Sequence, residues 1–431
     1  MDSKLDSKFF KIGDVFNVEK GLVQSSKNVE GQFDFITASA EWKTHNEYSH
    51  DCEALVFAAG AAGSLGRTHY VNGKFIASDL CFVLTPKDKL IDKVDLKFYF
   101  YYFNLNKDTI VKSTATGTSK LAINMRNFIN YCIPLPSIEY QKLAREKIEE
   151  VEPRINELNL IFEKNLDYIT RLRQSILQEA VQGKLVPQDP NDEPASVLLE
   201  KIKEEKERLI KEGIIKKEKP LPPISENEIP YEIPEGWEWV RLGEICSLIT
   251  DGTHSTPNYV SKGVPFLSVK DISNGFIDFN DTRFITQQEH EELIKRCKPE
   301  YGDVLLTKVG TTGIAKVIDT KREFSIFVSL ALLKIIHNTL YPYYIEYMLN
   351  SPLGKKQSEE NTQGIGNKNL VIKCIKNFIV PLPPLNEQKR IVEKVDQLMA
   401  LCDELEKNIE QSKKDSELLM QSVLQEAFKE A

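Results

Sequence analysis

The sequence predicts an α+β (mixed) protein: two α/β domains joined by two long antiparallel helices that form a coiled coil, with an internal pseudo-twofold repeat. Three observations predict it. Thr116–Ala180 and Gln363–Ala427 share one frame at a constant offset of 247 residues. In that frame Gly117 matches Gly364, Pro134-Leu135-Pro136 matches Pro381-Leu382-Pro383, Gln141 matches Gln388, and Ser175–Ala180 matches Ser422–Ala427. The later part of each copy carries apolar residues at steps of three and four, the spacing of a helical seam. The earlier part of each copy carries short β-branched and aromatic stretches broken by glycine loops, the pattern of strands and turns. Two long copies make a duplicated module, whereas a solenoid needs short units and at least three of them.

Bulk properties narrow the class. A chain of 431 residues, 41% hydrophobic and 28% charged, is long enough for two or three domains with real cores. No apolar run approaches the ~18 residues of a membrane span. The start, Met1-Asp2-Ser3-Lys4-Leu5-Asp6, lacks the apolar core of a signal peptide. Seven scattered cysteines, none in a C-x-x-C pair, fit neither a disulfide framework nor a zinc site and point to a reducing cytoplasm. The net charge of −8 at first sight disfavours nucleic acid, but the charge is unevenly placed. Residues 1–136 and 239–383 together carry +3, and residues 137–238 and 384–431 together carry −11. An acidic average therefore does not exclude DNA.

In chain order, residues 1–136 form the first domain and 137–183 the first long repeat helix. Residues 184–238 form a connector, 239–383 the second domain, and 384–431 the second long helix. Leu96–Leu105 and Leu340–Leu349, rich in Tyr and Phe, are expected helices against a sheet. Val264–Val269 and Asp303–Thr307 are expected strands. The seam of the first long helix runs Ile148, Val151, Ile155, Leu158, Phe162, Leu166, Ile169, Leu172, Ile176, with Pro153 as a local objection. The second runs Ile391, Val395, Leu398, Cys402, Leu405, Ile409, and resumes at Leu419 and Val423 after polar residues near Ser412–Ser416. About 40 residues of helix span roughly 60 Å. In the connector, Val197–Gly213 reads as a charged helix closed by glycine, followed by an extended proline-rich stretch from Pro220 to Pro234.

Candidate binding residues lie in the loops. Gly60-Ala61-Ala62-Gly63-Ser64-Leu65-Gly66-Arg67 and Gly310-Thr311-Thr312-Gly313-Ile314-Ala315-Lys316 lack the Gly-Lys-Ser/Thr of a P-loop. Tight turns are the plainer reading, but each ends on a cation, Arg67 or Lys316. Bare glycine N–H groups beside a cation suit a phosphate or a base edge. Ser64, Lys74, Thr311 and Thr312 join this set. Thr116, Thr118 and Lys120, against Gln363, Asn367, Lys368 and Asn369, supply side chains able to contact bases; a polar surface loop is the alternative. Thr253 and His254, in Asp251-Gly252-Thr253-His254, suit a polar DNA-facing or capping role, since His254 has no second ligand nearby for a metal. No nucleophile, zinc or methyltransferase motif appears, so no catalytic residue is assigned.

Several stretches resemble the specificity (S) subunit of type I restriction–modification systems. They are Gln178–Pro187 followed by Asp192-Glu193-Pro194-Ala195, then Ile233-Pro234-Glu235-Gly236-Trp237-Glu238-Trp239, Asp251–His254, and the Pro-Leu-Pro to Glu387-Gln388 stretch. The resemblance covers essentially the whole chain. It implies two target-recognition domains, each reading one half of a split, asymmetric double-stranded DNA target. It implies helices that set the gap and dock methyltransferase (M) subunits, two of them, with restriction (R) subunits in the full complex. It also implies a non-catalytic subunit without cofactor, with S-adenosylmethionine, ATP and Mg in the partners that methylate adenine and restrict. The helix length bounds the separation of the two readers at about 18 base pairs. A coiled-coil scaffold with protein-binding ends and a nucleotide hydrolase are the competing readings.

Overall fold

The computed structural model describes residues 9–61, 63–117, 121–336, 339–364 and 368–429; the candidates Thr118, Lys120 and Asn367 lie outside the described residues. The chain forms two compact units, Met1–Lys164 with Ile409–Ala431, and Asn165–Asn408. Both long helices, Ile138–Val181 and Leu385–Ala427, are divided between the units. No helix among the described residues is long and apolar enough to cross a membrane.

The first unit is built on a six-stranded sheet in the order Phe16–Lys20, Cys81–Pro86, His50–Ala58, Thr68–Ala77, Phe33–Ile36, Lys43–His45. All its neighbours are antiparallel except Phe33–Ile36 with Thr68–Ala77. The helix Leu96–Leu105 forms where the sequence places it. Asp95 caps it by accepting the Phe98 N–H, and Phe98, Tyr99, Tyr101 and Phe103 are all buried. A helix apolar on nearly every side belongs inside a core. Tyr99 meets Phe16 edge to face at 5.2 Å. The end of the second long helix closes this core. Phe98 packs on Phe428 at 5.0 Å, and the Tyr140 hydroxyl donates to the Ala427 carbonyl at 2.7 Å.

The second unit holds a four-stranded sheet, Cys246–Asp251, Leu330–Ile335, Val304–Thr307, Ala315–Val317, and a three-stranded one, Arg283–Ile285, Val264–Leu267, Ser325–Ile326. The expected helix at Leu340–Leu349 appears as Pro342–Asn350, its start set by Pro342. The connector helix runs Ala195–Lys211, and Gly213 beyond it takes φ +71.

Repeated residues make repeated bonds. Gln141, fully buried, accepts the Asp95 N–H at 2.8 Å and donates to the Lys93 and Pro136 carbonyls at 2.9 Å each. Gln388, equally buried, accepts the Tyr341 N–H and donates to the Pro383 carbonyl, both at 2.9 Å. The Tyr99 hydroxyl donates to Pro134 O, and the Tyr344 hydroxyl to Pro381 O. A proline-bounded entry leaves carbonyls that regular structure cannot satisfy, and one glutamine and one tyrosine satisfy them in each unit.

The connector folds onto the second unit through residues far apart in sequence. Trp237, 5% exposed, donates its indole N–H to Glu387 at 3.0 Å. Burial raises the Glu387 carboxyl above its ordinary range. Gly183 has φ +69, and a Cβ there would lie 2.3 Å from Pro234 Cγ. Arg241 donates to Glu228, to Asn377 O and to the carbonyls of Pro222 and Pro223, which fastens the proline-rich stretch.

The seams follow heptad spacing, and one column of each is covered along most of its length, with Ile391 also buried on the other column of the second helix. Ile148, Ile155, Ile169 and Ile176 are buried at seven-residue multiples, with Phe162 half-buried between them. Val395, Cys402 and Ser416 are buried in the second helix, with Ile409 and Val423 half-buried on the same column. Ser416 therefore sits within the covered column, and the helix continues through the polar stretch. Val151, Leu166 and Leu398 are half-buried. Leu158, Leu172, Leu405 and Leu419 are exposed. The helix also runs through Pro153.

Two outcomes follow. Gln388→Ala strands a buried N–H and a buried carbonyl, and is expected to cost about 2–4 kcal/mol, read as a lowered urea midpoint. Glu228 is held down to about 2, from an ordinary 4.5, chiefly by the Arg241 guanidinium and then by the Ser225 N–H and hydroxyl. A depressed carboxylate stabilises fully above 4.5 and loses that contribution as pH falls toward 2. The gap in urea midpoint between wild type and Glu228→Gln is expected at neutral pH and should close across that window.

Candidate nucleic-acid interface

In the second unit the three loop sequences converge. Asp251, 7% exposed, ends the strand Cys246–Asp251. Its Oδ2 accepts from Lys308 Nζ at 3.2 Å, and its Oδ1 lies 3.1 Å from Arg296 Nη2 and 3.4 Å from His254 Nε2. Lys308 opens the glycine loop, and its carbonyl accepts the Leu370 N–H at 2.8 Å. The Gly310 N–H donates to Lys368 O, and the Thr312 and Thr362 hydroxyls lie 3.2 Å apart. The loop after Asp251, the glycine loop and the hairpin Thr362–Gln363 with Asn369–Leu370 thus form one surface. Gly252 lets the loop after Asp251 lie against the strand Ser325–Ile326, since a Cβ there would sit 2.0 Å from Ile326 O.

On that surface Thr311, Gln363, Lys368 and His254 are exposed, while Thr253, Thr312 and Asn369 are half-buried. Asn369 Oδ1 is shielded and has no hydrogen-bond partner among the described residues. The first unit has the same juxtaposition. Ala59 O accepts the Ile123 N–H at 2.8 Å, which sets the hairpin Ala115–Thr116 with Ala122–Ile123 beside the glycine loop. Thr116 is exposed. Lys74 is exposed but stands apart, its ammonium 4.9 Å over the Tyr48 ring.

The shared cation at the loop ends needs correction. The Gly66 N–H donates to Ala58 O, and the Gly313 N–H to Thr307 O, both at 2.9 Å and both with positive φ. Asn104 brackets the backbone of Thr68, and Asn350 that of Ala315. These bonds match Arg67 with Ile314 and Lys316 with His69. Arg67 donates to Ala38 O at 3.1 Å and to Ser64 Oγ at 3.3 Å. Lys316, 19% exposed, pairs at 3.0 Å with Glu346, whose second oxygen takes the Val317 N–H. Lys316 has an internal counter-charge that a ligand would have to displace, and Arg67 is tethered through its Nη1. Arg296 and Lys308 were not singled out from sequence. Their pairing with Asp251 spans 45 and 57 residues, and only the basic run Lys295-Arg296-Cys297-Lys298 hints at the first.

Two unlike α/β units, each displaying a glycine loop beside a polar hairpin, share the two long helices. The sequence matches the family described as "Type I restriction modification DNA specificity domain" over residues 4–161 and 234–412, and the chain belongs to that family. It is 35% identical over 264 residues to the type I restriction enzyme EcoAI specificity subunit of Escherichia coli, covering 60% of this chain and 44% of that relative. The chain thus spans less than half the length of this curated relative. It is 24% identical to the EcoKI specificity subunit of E. coli strain K12, covering 95% and 81%. The fold is similar to a chain from a study of assembly and conformational transition in a type I R-M system, with TM-score 0.68, 20% identity and 99% of both chains covered. It is also similar to the HsdS subunit from Thermoanaerobacter tengcongensis, with TM-score 0.53, 21% identity, and 99% and 97% covered.

The Asp251–Lys308 pair is buried on both sides, at 10% and 5% side-chain exposure. Asp251→Ala leaves Lys308 charged and unpaired and is expected to cost about 3–5 kcal/mol in urea unfolding. The double variant Asp251→Ala with Lys308→Met should recover part of that loss.

Proposed function

We propose that the chain is the non-catalytic, DNA-reading specificity subunit of a type I restriction–modification assembly. Each α/β unit reads one half of a bipartite, asymmetric duplex target through its glycine loop and hairpin. The observation that carries this reading is that the two units repeat their buried bonds, at Gln141 and Gln388, at Tyr99 and Tyr344, and at Asn104 and Asn350, while their surface loops differ. Like frames with unlike loops suit two different half-sites. Thr116, Thr253, His254, Thr311, Gln363 and Lys368 are the contacts we favour, with the tethered Arg67, Ser64, Thr312, Lys316 and Asn369 in support.

The helices set the gap as an antiparallel coiled coil and dock two methyltransferase subunits. Two kinds of contact support the antiparallel pairing, one inside each unit: Tyr140 with Ala427, and Arg173 with Asp403 and Glu406 at 2.6 and 2.9 Å. Leu158, Ile161 and Leu419, exposed on the first unit, and Tyr168, Leu172, Leu401 and Leu405, exposed on the second, give each unit its own apolar helical surface for a partner. Adenine methylation and restriction, with S-adenosylmethionine, ATP and Mg, belong to the partner subunits in the cytoplasm.

Sequencing the methylated positions in DNA exposed to the assembled complex should return two unlike half-sites at one fixed gap. A complex that methylates without such a pattern would sink the proposal. Leu172→Glu with Leu405→Glu should abolish capture of the methyltransferase subunit while leaving the urea midpoint within about 1 kcal/mol of wild type, as fits exposed positions. Assembly at wild-type strength would remove the docking assignment.

A further inference from the structure

Arg296 belongs to no motif, follows the helix Gln287–Leu293, and is held more firmly than an exposed arginine usually is. Its Nη2 donates to Asp251 O at 2.6 Å, Asp251 Oδ1 at 3.1 Å and Gly252 O at 2.5 Å. Asp251 is itself fixed from below by the buried Lys308. Even so, 55% of the Arg296 side chain is exposed, and its Nε and Nη1 donate to nothing among the described residues. Arg296 lines a cavity of about 320 Å³ together with Thr253, His254, Glu292, Leu293, Cys297, Ser325 and Ile326. The Glu292 carboxylate is taken by Lys295 at 2.6 Å. The His254 ring, 67% exposed, stands at the rim.

This arrangement selects its ligand. A guanidinium offers only donors, and here two cations share one carboxylate, which leaves a net positive charge. Reading guanine with two parallel bonds needs adjacent N–H groups, and both such edges of the guanidinium include Nη2, which is already filled. A single charge-assisted N–H···O bond to one phosphate oxygen needs no such adjacent pair, and either remaining N–H group can supply it. We propose that Arg296, braced by Asp251 and flanked by Thr253 and His254, is a DNA phosphodiester subsite of the second unit, one that sets register rather than reading sequence. It rests on the DNA-reading function proposed above.

The test titrates the full chain, assembled with its methyltransferase subunit, against a pool of random-sequence duplexes, as wild type, Arg296→Ala and His254→Gln. For Arg296→Ala the expected result is an affinity loss of about ten-fold across the pool. The slope of log K against log salt should fall by about 0.9, the share of one phosphate, with the recovered sequences unchanged. His254→Gln, at an exposed side chain that leaves the Asp251 anchor in place, should lose about two-fold, again uniformly. It carries the test if Arg296→Ala does not fold. Unchanged affinity and slope in the variants overturn the subsite, as does a shift in recovered sequence, which would make Arg296 a base reader. A wild-type complex that enriches no sequence overturns the DNA-reading function instead, and a slope change that persists there leaves the subsite standing.

Discussion

The need to satisfy backbone groups where each long helix leaves its α/β unit governs this structure. Pro-Leu-Pro precedes each helix, so the chain there has fewer N–H donors and carbonyls without ladder partners. Gln141 and Gln388 answer from inside the helices, reaching back to the carbonyls of the entry and across to the first turn of the aromatic helix. One buried amide thus ties three segments together and fixes the direction in which the helix starts.

The polar surface of the second unit depends on a different economy. A buried carboxylate at Asp251 is tolerable only because Lys308 lies beneath it and Arg296 beside it, and the pairing with Lys308 ties the loop after Asp251 to the start of the glycine loop. In the first unit the corresponding backbone approach exists at Gly21, where a Cβ would lie 2.0 Å from Ser78 O, but the residue before it is Lys20. The two units reach similar backbone geometry, with a buried carboxylate before the glycine in the second and an exposed lysine before it in the first. Their surfaces therefore differ in more than loop length.

Much of the architecture was legible because it rests on local pattern. The aromatic run Leu96–Leu105, the capping glycine at Gly213 and the seven-residue spacing of the long helices all produced the elements they imply. Periodicity could not say which heptad column is covered, because a leucine awaiting a partner has the same spacing as one already packed. Leu172 and Ile169 look alike in sequence, yet one is exposed and the other buried. The site was less legible. Lys316 looked like a free cation because its counter-charge, Glu346, lies 30 residues away on a helix. Arg296 and Lys308 escaped notice because their importance lies in one buried carboxylate that no local motif announces.

Ser416 occupies the covered column of the second long helix at 7% exposure, and its hydroxyl has no partner among the described residues; Asn159, on the first helix within the same unit, likewise carries a shielded, unpartnered oxygen. Apolar columns that repeat every seven residues are nearly indifferent to sliding by one repeat, so greasy contacts alone leave the alignment of two such helices degenerate. A shielded polar atom breaks that degeneracy, because each slipped alignment would bury it in a different and wholly apolar setting. At Ser416 a small loss of stability thus acts as an index mark against slippage of the two helices within this unit.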